Sequence, residues 1–323
     1  MKLLILGVGG NVSTGIVRSI RQSDIAAYIV GACVSKNAPG FAFCDAIAQS
    51  PYADSNQFLP WLQNIIEIND IDVVLSGVEE INAVLARNKI YNSKCKFLVP
   101  ELENQSIFKN KMSTVDWLAK HSIDHPNTID LRKGMNFQEV VNSIKSPFIV
   151  KPKEGKGSQG VSVIGTKREF EEINCKEDYV AQELIGDADS EYTCGVYKSK
   201  FGYTEILIMR RQLSKGSTSM AQVVLDQNIF SYVKRIADCL DTTSPFNVQL
   251  RLCKISKKPV CFEINMRLSG TTPMRHRFGF KDCQVWIKES IFNKNYQSDF
   301  TVQPGTLVRY EAEAFLLPEI PIL

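Results

Sequence analysis

The 323-residue sequence predicts a parallel α/β unit followed by an α+β half. Three observations carry that reading: short apolar runs alternating with amphipathic stretches up to about residue 100, a break at Pro100, and a second half dense in strand patterns. In the first unit, residues 1–100, LLIL, YIVGACV and DVVLS read as strands, with helices at 12–21 and near 58–69 between them. After the first strand, GVGGNVSTG turns into a helix. Val12 stands where GxGxxG spacing requires a third glycine, so the run reads as a tight strand-to-helix turn that could border a substrate cleft.

Pro100 and the polar residues of 99–110 break the pattern and predict a domain boundary, after which a helix at 111–121 opens the next unit. SPFIVKP and VSVIG are expected as strands flanking a loop; YVAQEL, EYTCGVY, TEILIMR, FNVQLRL and PVCFEIN follow as strands of antiparallel sheets. Helical patterns recur near 136–145, 226–240 and 281–293. The second half divides into residues 101–183 and 184–323.

Composition excludes several classes. A net charge of +3 offers no large field for nucleic acid or an anionic membrane. The nine cysteines form no CxxC pair and the three histidines no HExxH, so neither a disulfide framework nor a zinc site is expected and a cytoplasmic protein fits best. His121 and His125 stand four apart, but Pro126 follows and no third ligand is evident. The opening apolar run is too short for a signal segment, and no stretch reaches the length of about 18 apolar residues that would suggest a membrane span.

The chemistry concentrates in two places. KPKEGKGSQGV, residues 151–161, sets three lysines and three glycines between two strand-like runs. Gly155, Gly157 and Gly160 let backbone approach phosphate oxygens, exposed N–H groups can form an anion nest, and Lys151 can neutralise charge. Such a turn alone is more often an exposed hairpin. In PVCFEINMRLSG, however, Glu263, Asn265 and Arg267 alternate and share one face of a strand, offering two hard oxygen donors and a cation. Gln249, on the preceding strand of a plausible hairpin, adds an oxygen.

Together, in order and spacing, FKNKMST, KPKEGKGSQG, QELIG, EYT, NVQ and FEINMR make nearly the whole chain resemble the ATP-grasp superfamily, in the branch containing the carbamoyl-phosphate synthase large subunit and carboxylate–amine ligases. The resemblance implies an N-terminal pre-ATP-grasp domain and a two-subdomain ATP-grasp fold with ATP between the subdomains. It assigns Lys111 and Lys151 to the ATP phosphates, Gly155, Gly157, Ser158 and Gly160 to a closing flap, and Gln182, Glu183, Leu184 and Ile185 to adenine. Glu191 falls to the ribose and Gln249, Glu263 and Asn265 to Mg²⁺, two ions being common in relatives. Arg267 would stabilise phosphoryl and acyl-phosphate oxygens. Lys215, Gly216 and Ser217, in KGSTSM, are weaker candidates that read equally as a surface turn.

Ser269, Gly270, Arg275 and Arg277 are expected to line an anionic-substrate pocket, since arginine grips carboxylates bidentately; the two arginines read equally as a solvated basic patch. The function implied is ATP-dependent ligation of a small-molecule carboxylate to an amine through an acyl phosphate, with ADP and phosphate released. Lys151 and Arg267 would carry the catalysis. The alternatives are phosphorylation of a small acid without ligation, as in carbamoyl-phosphate synthase, and a non-catalytic ATP-binding protein. Analogy leaves room for a homodimer.

Overall fold

Nearly continuous apolar strands need cover on both faces, and the computed structural model of the chain gives the first five strands that cover. It describes residues 1–88, 94–155, 157, 159–316 and 321–323. Strands β1 (Lys2–Leu6), β2 (Tyr28–Cys33), β3 (Ala46–Gln49), β4 (Val73–Ser76) and β5 (Lys96–Leu98) form a parallel sheet in the order β3-β2-β1-β4-β5. Helices α1 (Asn11–Arg21), α2 (Phe58–Asn69) and α3 (Glu79–Asn88) connect them. Leu4, Leu6, Val30 and Val74 pack with Leu62 and Ile66 of α2 on one face, while Leu3, Ile5 and Val73 pack with Ile16 and Val17 of α1 on the other. Full burial of each such side chain contributes about 1.5–3 kcal/mol.

The sequence misses a helix at the interruption after Pro100. There α4 (Leu102–Lys109) precedes α5 (Lys111–Lys120). The apolar stripe of α4 is thin, its buried residues being Asn104 and Phe108, so its periodicity is weak. Asn110 ends one helix and caps the other, its side chain accepting from the backbone N–H groups of Met112 at 2.9 Å and Ser113 at 3.3 Å.

A four-stranded sheet in the order β6-β9-β7-β8 comprises β6 (Thr128–Asp130), β7 (Phe148–Pro152), β8 (Ser162–Ile164) and β9 (Tyr179–Glu183), with α6 (Phe137–Val141) and α7 (Lys167–Glu171) beside it. Its core joins Phe148, Val150, Ile164, Phe170 and Ala181. A six-stranded antiparallel sheet follows, β10 (Glu191–Lys198), β11 (Thr204–Ser214), β12 (Ser217–Val223), β13 (Pro245–Leu252), β14 (Pro259–Asn265) and β15 (Thr306–Val308), in the order β14-β13-β10-β11-β12-β15.

One side of this sheet packs on α8 (Gln227–Cys239) together with Phe108 of α4 and Leu118 of α5. The other shares a core with the first sheet, α1, α9 (Thr272–Arg277) and α10 (Asp282–Phe292). Among the described residues, no helix is long and apolar enough to cross a membrane.

Candidate active site

The parallel strands, the small sheet and the large sheet meet around two adjoining cavities. Both are lined by Gly157, Arg211, Leu213, Gln249 and Glu263. The first, about 840 Å³ with its open mouth, lies between the two antiparallel sheets. Lys111, Lys151, Gly155, Gly157, Gln182, Glu183, Ile185, Glu191, Gln249 and Glu263, drawn from distant parts of the chain, all line it. Leu184 and Gly160 do not, and Ser158 lies outside the described residues.

Strand β7 delivers Lys151 into the floor, where only 6% of the residue is exposed. Its Nζ lies 3.5 Å from the Phe262 carbonyl oxygen and 5.5 Å from the centre of the Phe262 ring. Burial pulls its pKa down to about 8, against the opposing pull of Glu263. Lys111, at the first turn of α5, is also held below its usual range by burial, with Glu263, Glu79 and Glu154 partly compensating. The two cations therefore sit where additional negative charge would stabilise them. Lys109–Glu154 at 2.6 Å and Lys153–Asp130 at 2.5 Å anchor the base of the loop after β7.

That loop touches the large sheet. The β11–β12 turn bears Lys215 and Gly216, and a Cβ on Gly216 would lie 2.3 Å from the Gly157 carbonyl oxygen. Gly216 also holds φ +72°, so side chains are excluded by conformation and by space. Ser217 and Thr218 continue into the second cavity.

Antiparallel register sets Gln249 opposite Glu263 and Asn247 opposite Asn265. Asn265 Nδ2 donates to Glu263 Oε1 at 3.1 Å, and Arg267 Nη2 to Asn265 Oδ1 at 3.4 Å. Glu263 and Asn265 form a hard oxygen pair suited to Mg²⁺ that keeps phosphate and water in its shell. The Gln249 oxygen accepts from Arg211 Nη2 at 2.7 Å, as the Asn265 oxygen does from Arg267.

Glu191, which the resemblance assigns to the ribose, lines the first cavity and is held by arginines. Its Oε1 accepts from Arg211 at 3.0 and 2.7 Å and its Oε2 from Arg251 at 3.0 and 2.8 Å, so both oxygens already serve arginines. Gln182 donates through Nε2 to Thr128 Oγ1 at 2.8 Å, and Glu183 is exposed at the strand end.

The second cavity, about 1180 Å³, is bounded by Asn265, Arg267, Ser269, Gly270 and the turns at 10–13 and 77–79. These turns follow β1 and β4, where the parallel strand order reverses, the usual crevice for ligands in such sheets. The glycine turn after β1 thus borders this cavity. Arg309, unmarked in the sequence reading, pins the two sides by donating to Asn11 Oδ1 at 2.8 Å and the Gly270 carbonyl at 2.7 Å.

Two arginines predicted to line this pocket do not. Arg275 is fully buried, 2.7 Å from Asp282, and reaches Asn247 Oδ1 at 3.3 Å and Thr272 Oγ1 at 3.0 Å. An ion pair seven residues apart across a turn leaves no strand or helix periodicity to read. Arg277 is exposed and lines neither cavity. The His121 ring instead meets the Trp117 carbonyl at 2.8 Å.

Residues 108–271, about half of the chain, match the family model of the ATP-grasp domain. The chain belongs to the ATP-grasp family. Solved structures similar to this ATP-grasp chain include N5-carboxyaminoimidazole synthetase from Staphylococcus aureus complexed with ADP, at TM-score 0.72 and 14% identity over 95% of this chain and 79% of that one. L-amino acid ligase from Bacillus licheniformis is similar at TM-score 0.68 and 15% identity, over 94% and 77% of the two chains. A D-alanine–D-alanine ligase from Phocaeicola vulgatus is 30% identical over 125 residues, which span 36% of this chain and 37% of that relative.

Proposed function

We propose that this ATP-grasp protein is an ATP-dependent carboxylate–amine ligase that works through an acyl phosphate. The observation that carries the reading is the meeting of two cavities at Gln249 and Glu263, one floored by the buried Lys151 with the half-buried Lys111 beside it and the other bounded by Arg267 and the parallel-sheet turns. ATP is assigned to the first cavity, with its phosphates toward Lys111 and Lys151 and its base toward 182–185. The small-molecule acid and amine are assigned to the second. The relatives described above, two of them amino-acid-joining ligases by name, support the same class.

Glu263 and Asn265 would hold Mg²⁺, whose chemistry when bound is to neutralise and orient phosphate oxygens. Lys111 and Lys151 offset the charge of the triphosphate in a site shielded from water, where their electrostatic effect is large. Arg267, on the wall of the second cavity and bonded to Asn265, can steady oxygens of the phosphoryl group and of the carboxylate that attacks it. Gly157, whose carbonyl lies against Gly216, would help exclude water that would hydrolyse an acyl phosphate before an amine displaces phosphate. Positioning and charge suffice for this chemistry, and the amine attacks without a protein nucleophile.

The test is Mg²⁺-dependent ATP turnover by purified protein, with ADP and AMP resolved, across pooled carboxylates with and without pooled amines. ADP and phosphate formation that requires both pools is expected. ADP formation with an acid alone would replace ligation by small-acid phosphorylation, and ATP binding without turnover under any pool would favour a binding protein.

A further inference from the structure

We infer that Asn247 reads the carboxylate of the acid substrate, donating from its amide nitrogen into the second cavity; the inference rests on the ligase reading above. Asn247 is only 1% exposed, yet it lines the second cavity and not the first. It stands on β13 opposite Asn265 of β14, one step further from the nucleotide cavity than Gln249 and Glu263, the facing pair that both cavities share.

The amide is oriented from behind. Its Oδ1 accepts from Thr193 Oγ1 at 3.0 Å and from Arg275 Nη1 at 3.3 Å, which fills both acceptor positions of that oxygen. A guanidinium donates and never accepts, so the atom toward Arg275 is the oxygen, and turning the amide over would set N–H against N–H. Arg275 cannot follow such a turn. It is fully buried, paired with Asp282 at 2.7 Å, and its Nε has no partner among the described residues, so losing Asn247 would leave still more of a buried cation unpaired. Gly195, opposite Asn247 on β10, leaves room for the guanidinium, since a Cβ there would lie 2.7 Å from Nη1.

The nitrogen is what remains for the cavity. Asn247 Nδ2 has no partner among the described residues and is not one of the orphan atoms sealed away from solvent, so its hydrogens open on the second cavity. Arg267, bonded to Asn265, lies on the same wall. A fixed neutral donor beside a guanidinium suits the two oxygens of a carboxylate, whereas an ammonium group, which only donates, finds no acceptor at this atom. Thr193 and Arg275 are on this account positioning residues, and the buried Arg275–Asp282 pair acts on the cavity through Asn247.

Saturation by the acid tests this directly. ADP formation is followed against the concentration of the pooled carboxylates, with ATP, Mg²⁺ and pooled amines in excess. Asn247→Asp keeps an oxygen for Thr193 and Arg275 and changes the atom facing the cavity from donor to acceptor. The half-saturating carboxylate concentration should rise by about tenfold to a hundredfold, with the KM for ATP within about twofold of wild type. Unchanged carboxylate saturation in folded Asn247→Asp would overturn the inference and leave Nδ2 to cavity water, as would a KM for ATP that rises equally. No carboxylate-dependent ADP formation by the wild type would overturn the ligase reading, and the inference with it.

Thr193→Val removes one of the two bonds to Oδ1 while leaving Asn247 in place. It should raise the half-saturating carboxylate concentration by about threefold, and Thr193→Ser should restore it. If Asn247→Asp does not fold, this pair decides: carboxylate saturation equal in Thr193→Val and wild type would overturn the inference.

Discussion

Arg267 Nε donates to Glu79 Oε1 at 2.8 Å, joining the segment just after β14 to the first turn of α3 from 188 residues away in sequence. The pair is partly buried, with side-chain exposures of 12% and 35%, and it fixes the guanidinium on the wall of the second cavity beside Asn265. Glu79→Ala should therefore lower kcat by about tenfold to a hundredfold while the KM for ATP changes little, since small misplacements of a charge-stabilising group are costly. Steady-state kinetics check this; unchanged kcat would show that Arg267 needs no tether.

Lys151 links pH to nucleotide affinity. In the free protein it loses its proton near pH 8, below the ordinary lysine value of 10.5, so ATP affinity should fall as pH rises through about 8. The stability sign is opposite: between about 8 and 10.5 the unfolded chain binds the extra proton, so the Lys151 contribution makes the unliganded fold more stable as pH rises through that window. Calorimetric ATP binding across this range should show a smaller pH step in Lys151→Arg than in the wild type, since Lys111 remains held below its usual range in the variant.

Gly216→Ala should displace Gly157, because the new Cβ meets the Gly157 oxygen and residue 216 holds a left-handed conformation. The strain costs about 1–3 kcal/mol. Product formation should fall more than ATP consumption, since water would reach the intermediate. Parallel assays of ADP and ligated product give the ratio, and an unchanged ratio would remove Gly216 from the closing device.

Asp282→Ala should cost about 3–5 kcal/mol of stability by leaving Arg275 charged and unpaired in the core. Arg277→Ala, at an exposed position, should stay within about 0.5 kcal/mol of wild type. Urea unfolding of the two variants separates the roles that the sequence treated alike.

Much of this arrangement was legible because local rules coincide with the fold. Alternation in FEIN does place Glu263 and Asn265 on one face, and the KPKEGKGSQG loop does leave a strand end bearing Lys151. Helices at 58–69, 227–239 and 282–292 lie close to where their apolar spacing puts them.

What escaped was set by tertiary partners. Arg211 follows Arg210 in a strand and reads as a solvated pair, although Met209 shares its parity and is buried, which was the available signal. Arg275 found Asp282, and Glu191 found two arginines, pairings that no spacing rule encodes.

Oxygen-18 transfer tests the acyl-phosphate account most directly. Pooled carboxylates labelled in both oxygens would be turned over with ATP, Mg²⁺ and pooled amines, and the released phosphate examined by mass spectrometry. The account predicts one labelled oxygen in each phosphate formed. Turnover that yields unlabelled phosphate, or AMP in place of ADP, would contradict it.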